Sequence, residues 1–194
     1  MTHPDRLVVK LGGSLYDHPK LKPGLIAWLA ARPEAHILIV PGGGDFAEAV
    51  RRLDTVHGLG EQAAHRLAMI ALQPASAFVA HILGVEKWAG TDSRWWAESG
   101  TVVIQHEAFE TCYWSEHAHS IPLTWEFTTD SLAACAAHDA GCDLVLLKSV
   151  DISATMSWQE AADRGYVDAY FPTLVARHNL RVTAVNFRRV LDAY

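Results

Sequence analysis

"LVVKLGGSL", residues 7–15, sets one lysine inside an apolar run and follows it at once with two glycines and a serine. A short, nearly continuous run of Val and Leu reads as a strand covered on both faces. The glycine pair that closes it reads as a turn where backbone passes close to a neighbour or a ligand. The pattern returns in "ILIVPGGGDFAEAV", residues 37–50, where a strand ends in three glycines and a helical period begins. Strand, glycine turn, helix, and the same again is how an α/β chain starts.

Working outward, "HILIV", "TVVIQ", "DLVLL" and "RVTAV" repeat the short apolar run. Between them "LKPGLIAWLAA", "DFAEAVRRLD", "GEQAAHRLAMIALQPASAFVAHIL", "SRWWAES", "DSLAACAAHDAG" and "AYFPTLVARHN" place apolar residues three and four apart, several ending in Gly or Asn. Alternation over the whole length predicts a three-layer α/β/α sandwich around a mainly parallel sheet, built as a single domain over residues 1–194. Residues 83–100 and 105–124 read as irregular.

Composition narrows the function. The 194 residues are 50% hydrophobic and 20% charged, as in a globular domain with a full core. The net charge of −6 and the lack of any Lys/Arg run beyond a pair exclude a basic stripe, so no nucleic-acid partner is expected. No stretch of eighteen residues is apolar throughout, so no membrane partner is expected and the chain reads as cytoplasmic. Cys112, Cys135 and Cys142 form neither a CxxC pair nor an even set, which suits core thiols in a reducing compartment.

Ligands of open parallel sheets bind beyond the carboxyl ends of the strands. Both glycine turns fall there: Gly12, Gly13 and Ser14 after the first strand, Gly42, Gly43 and Gly44 after the second. Bare amides at helix starts accept phosphate, and Lys10 supplies a cation beside them. The pattern GxxxxGK[ST] is absent, which excludes a P-loop enzyme. Gly42, Gly44 and Ala47 do spell GxGxxA after a strand, but no second strand ending in an acid follows about twenty residues on. A nicotinamide enzyme is therefore disfavoured.

Two further patches carry chemistry. "TTDSLA", residues 128–133, opens a helix, with Thr129 or Asp130 as its N-cap or with Asp130 reaching into the cleft to orient Lys10, and Ser131 beside it. "LVLLKSVD", residues 144–151, runs a buried strand into Lys148, Ser149 and Asp151, read either as turn residues or as a nucleotide site.

These four patches, "VVKLGGS", "IVPGGGDFA", "TTDSLA" and "LVLLKSVD", in this order over nearly the whole chain, resemble the amino acid kinase family, which includes acetylglutamate, aspartate, carbamate and uridylate kinases. The resemblance implies an ATP-dependent phosphotransferase with Mg2+ travelling on ATP, a small phosphorylated acceptor, a place in making a methanofuran-type one-carbon cofactor, and a homo-oligomer. It implies that Lys10 stabilises the moving phosphoryl group and that Asp130 organises the lysines. Gly12, Gly13, Ser14, Lys148, Ser149 and Asp151 would hold the nucleotide, and Gly42, Gly43, Gly44 and Ser131 the acceptor. The chain departs from the family pattern in two places. Ile152 follows Asp151 where glycine is usual, and no lysine follows Lys148, which leaves Lys148 or an arginine such as Arg164 or Arg177 to serve. These departures favour the alternative, a binding or storage protein on the same fold.

His106, Glu107, Glu116, His117 and His119 are a group that could bind zinc or a similar metal, but the spacing of His117 and His119 matches no closed structural site, so exposed loop residues are favoured and no protein-bound metal is expected. His57 and His65 read as helix-surface residues, with His65 able to meet an acceptor. Most of the seven tryptophans read as core or interface anchors; Trp125, three residues before the Thr-Thr-Asp-Ser patch, reads as packing too, with stacking on an acceptor ring as the alternative.

Overall fold

All five apolar runs form strands, and every pairing between them is parallel. The computed structural model describes residues 6–88, 100–106 and 122–193. Its strands are β1 (Arg6–Leu11), β2 (His36–Pro41), β3 (Lys87–Trp88), β4 (Thr101–Ile104), β5 (Asp143–Lys148) and β6 (Val182–Asn186), in the order β3-β4-β2-β1-β5-β6. Among them β3 is new, falling within the stretch expected to be irregular.

The helices are α1 (Leu21–Ala30), α2 (Gly44–His57), α3 (Glu61–Ile70), α4 (Leu72–Leu83), α5 (Thr129–Ala140), α6 (Trp158–Asp163), α7 (Phe171–His178) and α8 (Phe187–Asp192). A single 3-10 turn, Gly13–Leu15, follows β1. Because strand side chains alternate, each strand feeds two cores. Val8, Leu38, Val102, Leu144 and Leu146 pack with α5 and α7 on one face, while Val9, Leu11, Ile39, Val103 and Leu147 pack with α1, α4 and α8 on the other. The expected three-layer sandwich follows, with both faces of the sheet dry.

Two helical readings are refined. The pattern over residues 60–83 was read as one helix and is two, parting at Ala71. Pro74 has no N–H to offer the carbonyl of Ile70, so the ladder breaks there. Residues 61–83 are long and apolar enough to cross a bilayer by length and composition, yet Ala64, Met69, Leu72, Ala75 and Val79 are buried against the rest of the molecule. The tail segments gave α6 and α8 without a sequence reading. In α6 the signal was present: Ser157 and Glu160 form a reciprocal capping box.

What positions the site is α5. Its run of Ala and Cys is buried on every side, and side chains this small let the helix lie close on β1 with α7 on its other flank. The first turn of α5 thus comes to the carboxyl edge of β1 and β5.

Candidate active site

The parallel register places the four sequence patches together. Lys10 pairs with Val40 on one side and Leu146 on the other, so the turns after β1, β2 and β5 leave the sheet side by side. The Gly12 amide donates to Leu147 O at 2.8 Å and the Gly42 amide to Leu11 O at 2.7 Å. Those two amides are committed to the sheet. The amides that head the next turns, on Gly13 and Gly44, have no i−4 carbonyl behind them.

The bareness of the loops has a first cause that precedes any ligand. A Cβ on Gly13 would fall 2.2 Å from the Gly44 amide nitrogen, and one on Gly42 would fall 2.8 Å from the Gly13 nitrogen. The two turns pack backbone against backbone. Gly44 also sits at φ +51, where a side chain is strained.

Asp130 lies between two lysines. Its Oδ1 is 3.0 Å from Lys10 Nζ, while Lys148 Nζ donates to Oδ1 at 2.7 Å and to Oδ2 at 2.8 Å. All three residues are nearly closed to solvent, at 6, 5 and 7% exposure for Lys10, Asp130 and Lys148. Burial alone would raise the Asp130 carboxyl, but the ammoniums of Lys10 and Lys148 outweigh it and hold it down to about 2. Burial lowers the Lys148 ammonium to about 8, with Asp130 opposing and Lys10 adding to the fall. Asp130 is therefore an anion with both oxygens occupied. It is neither a free base nor the N-cap of α5, which is Thr128.

The other predicted residues divide. Ser14 and Ser149 touch through their hydroxyls at 2.7 Å, which ties the first patch to the fourth. Asp151 is exposed and pairs with Arg189 of α8 at 2.7 Å. Among the described residues Arg189, rather than Arg164 or Arg177, is the arginine that meets the fourth patch. Ser131 is fully buried, and its hydroxyl donates to Asp168, so that donor is already spent.

A hollow of about 270 Å³ lies beside the fourth patch, walled by Ile152, Met156, Trp158 and residues 182–184 of β6. The position that departs from glycine thus forms part of an apolar wall. A second hollow, about 610 Å³, opens by Gly13 and Ser14 and is lined by Tyr16, Phe46, Phe78 and Arg188. A third, about 810 Å³, is at the opposite edge of the sheet around Arg6, Arg32 and Arg181, away from all four patches.

No family model matches the sequence. A stretch of 63 residues is 40% identical to [5-(aminomethyl)furan-3-yl]methyl phosphate kinase of Methanocaldococcus jannaschii, and it covers 32% of this chain and 29% of that protein. Uridylate kinase from Archaeoglobus fulgidus matches over 96% of this chain and 95% of its own, with TM-score 0.63 and 16% identity. The chain has the uridylate kinase fold. The resemblance to the amino acid kinase family read from the four patches is met by both comparisons.

Within this uridylate-kinase-like fold, the residue that sequence reading missed is Asp168. Oδ2 accepts from the Thr128 amide at 3.1 Å, the Thr128 hydroxyl at 2.9 Å and the Ser131 amide at 2.9 Å, while Oδ1 accepts from the Ser131 hydroxyl and from the Phe171 amide at 3.0 Å. Its bond from Phe171 is local, but the partners that tie it to the site, Thr128 and Ser131, are far away in the chain, so local pattern does not flag that role. His106 is buried, donates from Nε2 to Pro41 O at 3.1 Å, and is held down to about 4 by burial, which makes it a neutral imidazole. His65 is buried rather than on the helix surface and donates from Nδ1 to Thr124 O at 3.1 Å. His57 is exposed as expected. Glu107, Cys112, Glu116, His117 and His119 lie outside the described residues. Trp125 donates to Asp54 at 3.3 Å and carries the Arg51 guanidinium 4.3 Å from its ring centre, so one face of the ring is engaged by α2.

Proposed function

We propose that this chain is a cytoplasmic ATP-dependent phosphotransferase whose acceptor is a small molecule that already carries a phosphate. The observation that carries the reading is the buried pair of ammoniums held by one carboxylate beside two glycine turns. Phosphoryl transfer asks for positioning and charge neutralisation at the equatorial oxygens more than for covalent chemistry. Lys10 and Lys148 supply that charge, and Asp130 keeps both aimed while opposing the fall of the Lys148 ammonium.

The chemistry of the acceptor follows from what Asp130 does not do. Both its oxygens face ammoniums, so it takes no proton from an attacking group. An alcohol would need a base. A phosphate monoester, whose second pKa is about 6, arrives as an anion and needs none. The acceptor for which the partial relative is named, an aminomethylfuran methyl phosphate, belongs to this class, and so does the UMP of a uridylate kinase. A role in making a methanofuran-type one-carbon cofactor rests on the first of these.

Gly13, Ser14, Lys148 and Ser149 would face the ATP phosphates, with the base in the hollow walled by Ile152 and Trp158. Gly43 and Gly44, at the start of α2, would face the acceptor phosphate. Among the described residues no three metal-ligating side chains gather, and Asp130 is saturated. Mg2+ would travel on the nucleotide phosphates, as the family resemblance implies, and would supply charge neutralisation there. The exposed apolar residues Leu53 and Val56 of α2 and Leu67 and Ile70 of α3 fit burial against a second copy.

The test is product formation. Protein, Mg-ATP and a panel containing the aminomethylfuran phosphate and UMP are read by mass spectrometry beside Lys10→Ala. A phosphorylated product lost in the variant supports the proposal, whereas ATP bound with no acceptor consumed across phosphate monoesters sinks it. That second result would favour a binding or storage protein, a reading helped by the Asp151–Arg189 pair, which takes Asp151 from a nucleotide.

A further inference from the structure

We propose that Asp168 is a positioning residue for phosphoryl transfer: it pins the first turn of α5 so that Asp130 stands between Lys10 and Lys148. This rests on the phosphotransferase reading above. The N-cap of α5, Thr128, makes no side-chain capping bond of its own. Asp168, arriving from the segment before α7, takes its place. It accepts from residues 128 and 131, one on each side of Thr129 and Asp130, and so brackets the catalytic carboxylate within one turn. Its bond from the Phe171 amide anchors the same carboxylate to the start of α7. Two helix starts are thereby fixed to one side chain.

A capping function alone does not call for this arrangement. Serine or asparagine at the N-cap would satisfy the first turn at no electrostatic cost. Asp168 instead sets a second carboxylate near Asp130, and burial followed by that like charge pushes its own carboxyl up. The geometry also requires a carboxylate. Each of its two oxygens accepts at least one backbone N–H, from Thr128 and Ser131 on one and Phe171 on the other. An asparagine in either orientation would turn its NH2 toward an amide that can only donate.

The test compares Asp168→Asn with Leu174→Ala, a cavity variant in the same core layer that removes none of the Asp168 hydrogen bonds. Both are expected to lower Tm. Well below Tm, Asp168→Asn should lose about a hundredfold in kcat, as misplacement of a catalytic group by an ångström does, with KM for ATP within about threefold of wild type. Leu174→Ala should keep kcat. Equal kcat in Asp168→Asn and wild type, or equal losses in both variants, overturns the proposal.

A second readout needs no turnover. Lysine side chains labelled with 13C are titrated by NMR, following Lys148, which is faced by Asp130 from α5 and Lys10 from β1. Asp168→Asn should move its midpoint down as Asp130 drifts away. Thr128→Val/Ser131→Ala, which keeps the Asp168 charge, should move it down by less. A shift in the first variant with none in the second would mean a charge effect at a distance and would overturn the positioning role. A wild-type protein that phosphorylates no acceptor would defeat the phosphotransferase reading instead, while the titration would still decide whether Asp168 places Asp130.

Discussion

The Lys10–Asp130–Lys148 cluster is costly to build and more costly to break. Removing one partner of a buried pair leaves the other charge uncompensated, at about 3–5 kcal/mol. Asp130→Ala, which strands two buried ammoniums, should fall at or beyond the upper end of that range in a urea melt. Lys10→Ala leaves Lys148 still bonded to both Asp130 oxygens, so its stability loss should be smaller while phosphoryl transfer is lost. A comparison of the two variants by melting and by turnover separates the structural part of the cluster from the catalytic part. At Gly13 the added atom of Gly13→Ala would meet the backbone of Gly44 at 2.2 Å, so the two turns must part. Gly58→Ala meets no neighbour and bears only the left-handed backbone cost, about 1–2 kcal/mol. The expected outcome is an active Gly58 variant with a modestly lower Tm, and a Gly13 variant inactive at temperatures where it remains folded.

Helix α5 shows how tightly packing sets the site. Ala134 is fully buried in the small-residue run, so Ala134→Leu should cost about 1–3 kcal/mol by overpacking and should lower kcat as well, since the helix that carries Asp130 must move. The capping box of α6 offers a control: Ser157→Ala should cost about 1 kcal/mol with transfer unchanged, by thermal melt and assay. The strands and most helices were legible because each advertises itself locally, by a run of Val, Ile and Leu or by a three-four period. Lys10 was legible as a lysine set in an apolar run, with Asp130 at a helix start able to orient it, whereas Lys148 read locally as a strand end and its link to Asp130 came only with the family resemblance. Four things were not legible. Asp168 does its work on residues far off in sequence. Asp151 looked like a ligand until α8 brought Arg189 to it. The glycines were read for phosphate, but the contact between the two turns depends on strand order, which local pattern does not state. β3 was missed because two residues give no period.

For the molecule as a whole the buried charges set opposite pH trends for stability and activity. Asp130 titrates near 2 in the folded state and near about 3.9 unfolded, so the stability it contributes is complete above that value and drains away as pH falls toward 2. Lys148 titrates near 8 folded against about 10.4 unfolded. Between those values the unfolded chain holds the extra proton, so this group makes stability rise with pH. Transfer, which needs the ammonium, should fall over the same interval. Turnover and urea melts at pH 7, 8 and 9 should therefore diverge, and parallel decline would show that another group governs one of them. The strand order also fixes a timetable. β1 lies in the middle of the sheet, yet of its two partners one is β2, made soon after it, and the other is β5, made much later. At roughly 5–20 residues per second of synthesis, the growing chain carries β1 for many seconds with one side unzipped and with Lys10 still lacking its counter-charge. The β1–β5 seam, one strand off the middle of the sheet, is among the last to close on the ribosome, and that interval is when the nascent chain is most exposed to mispairing.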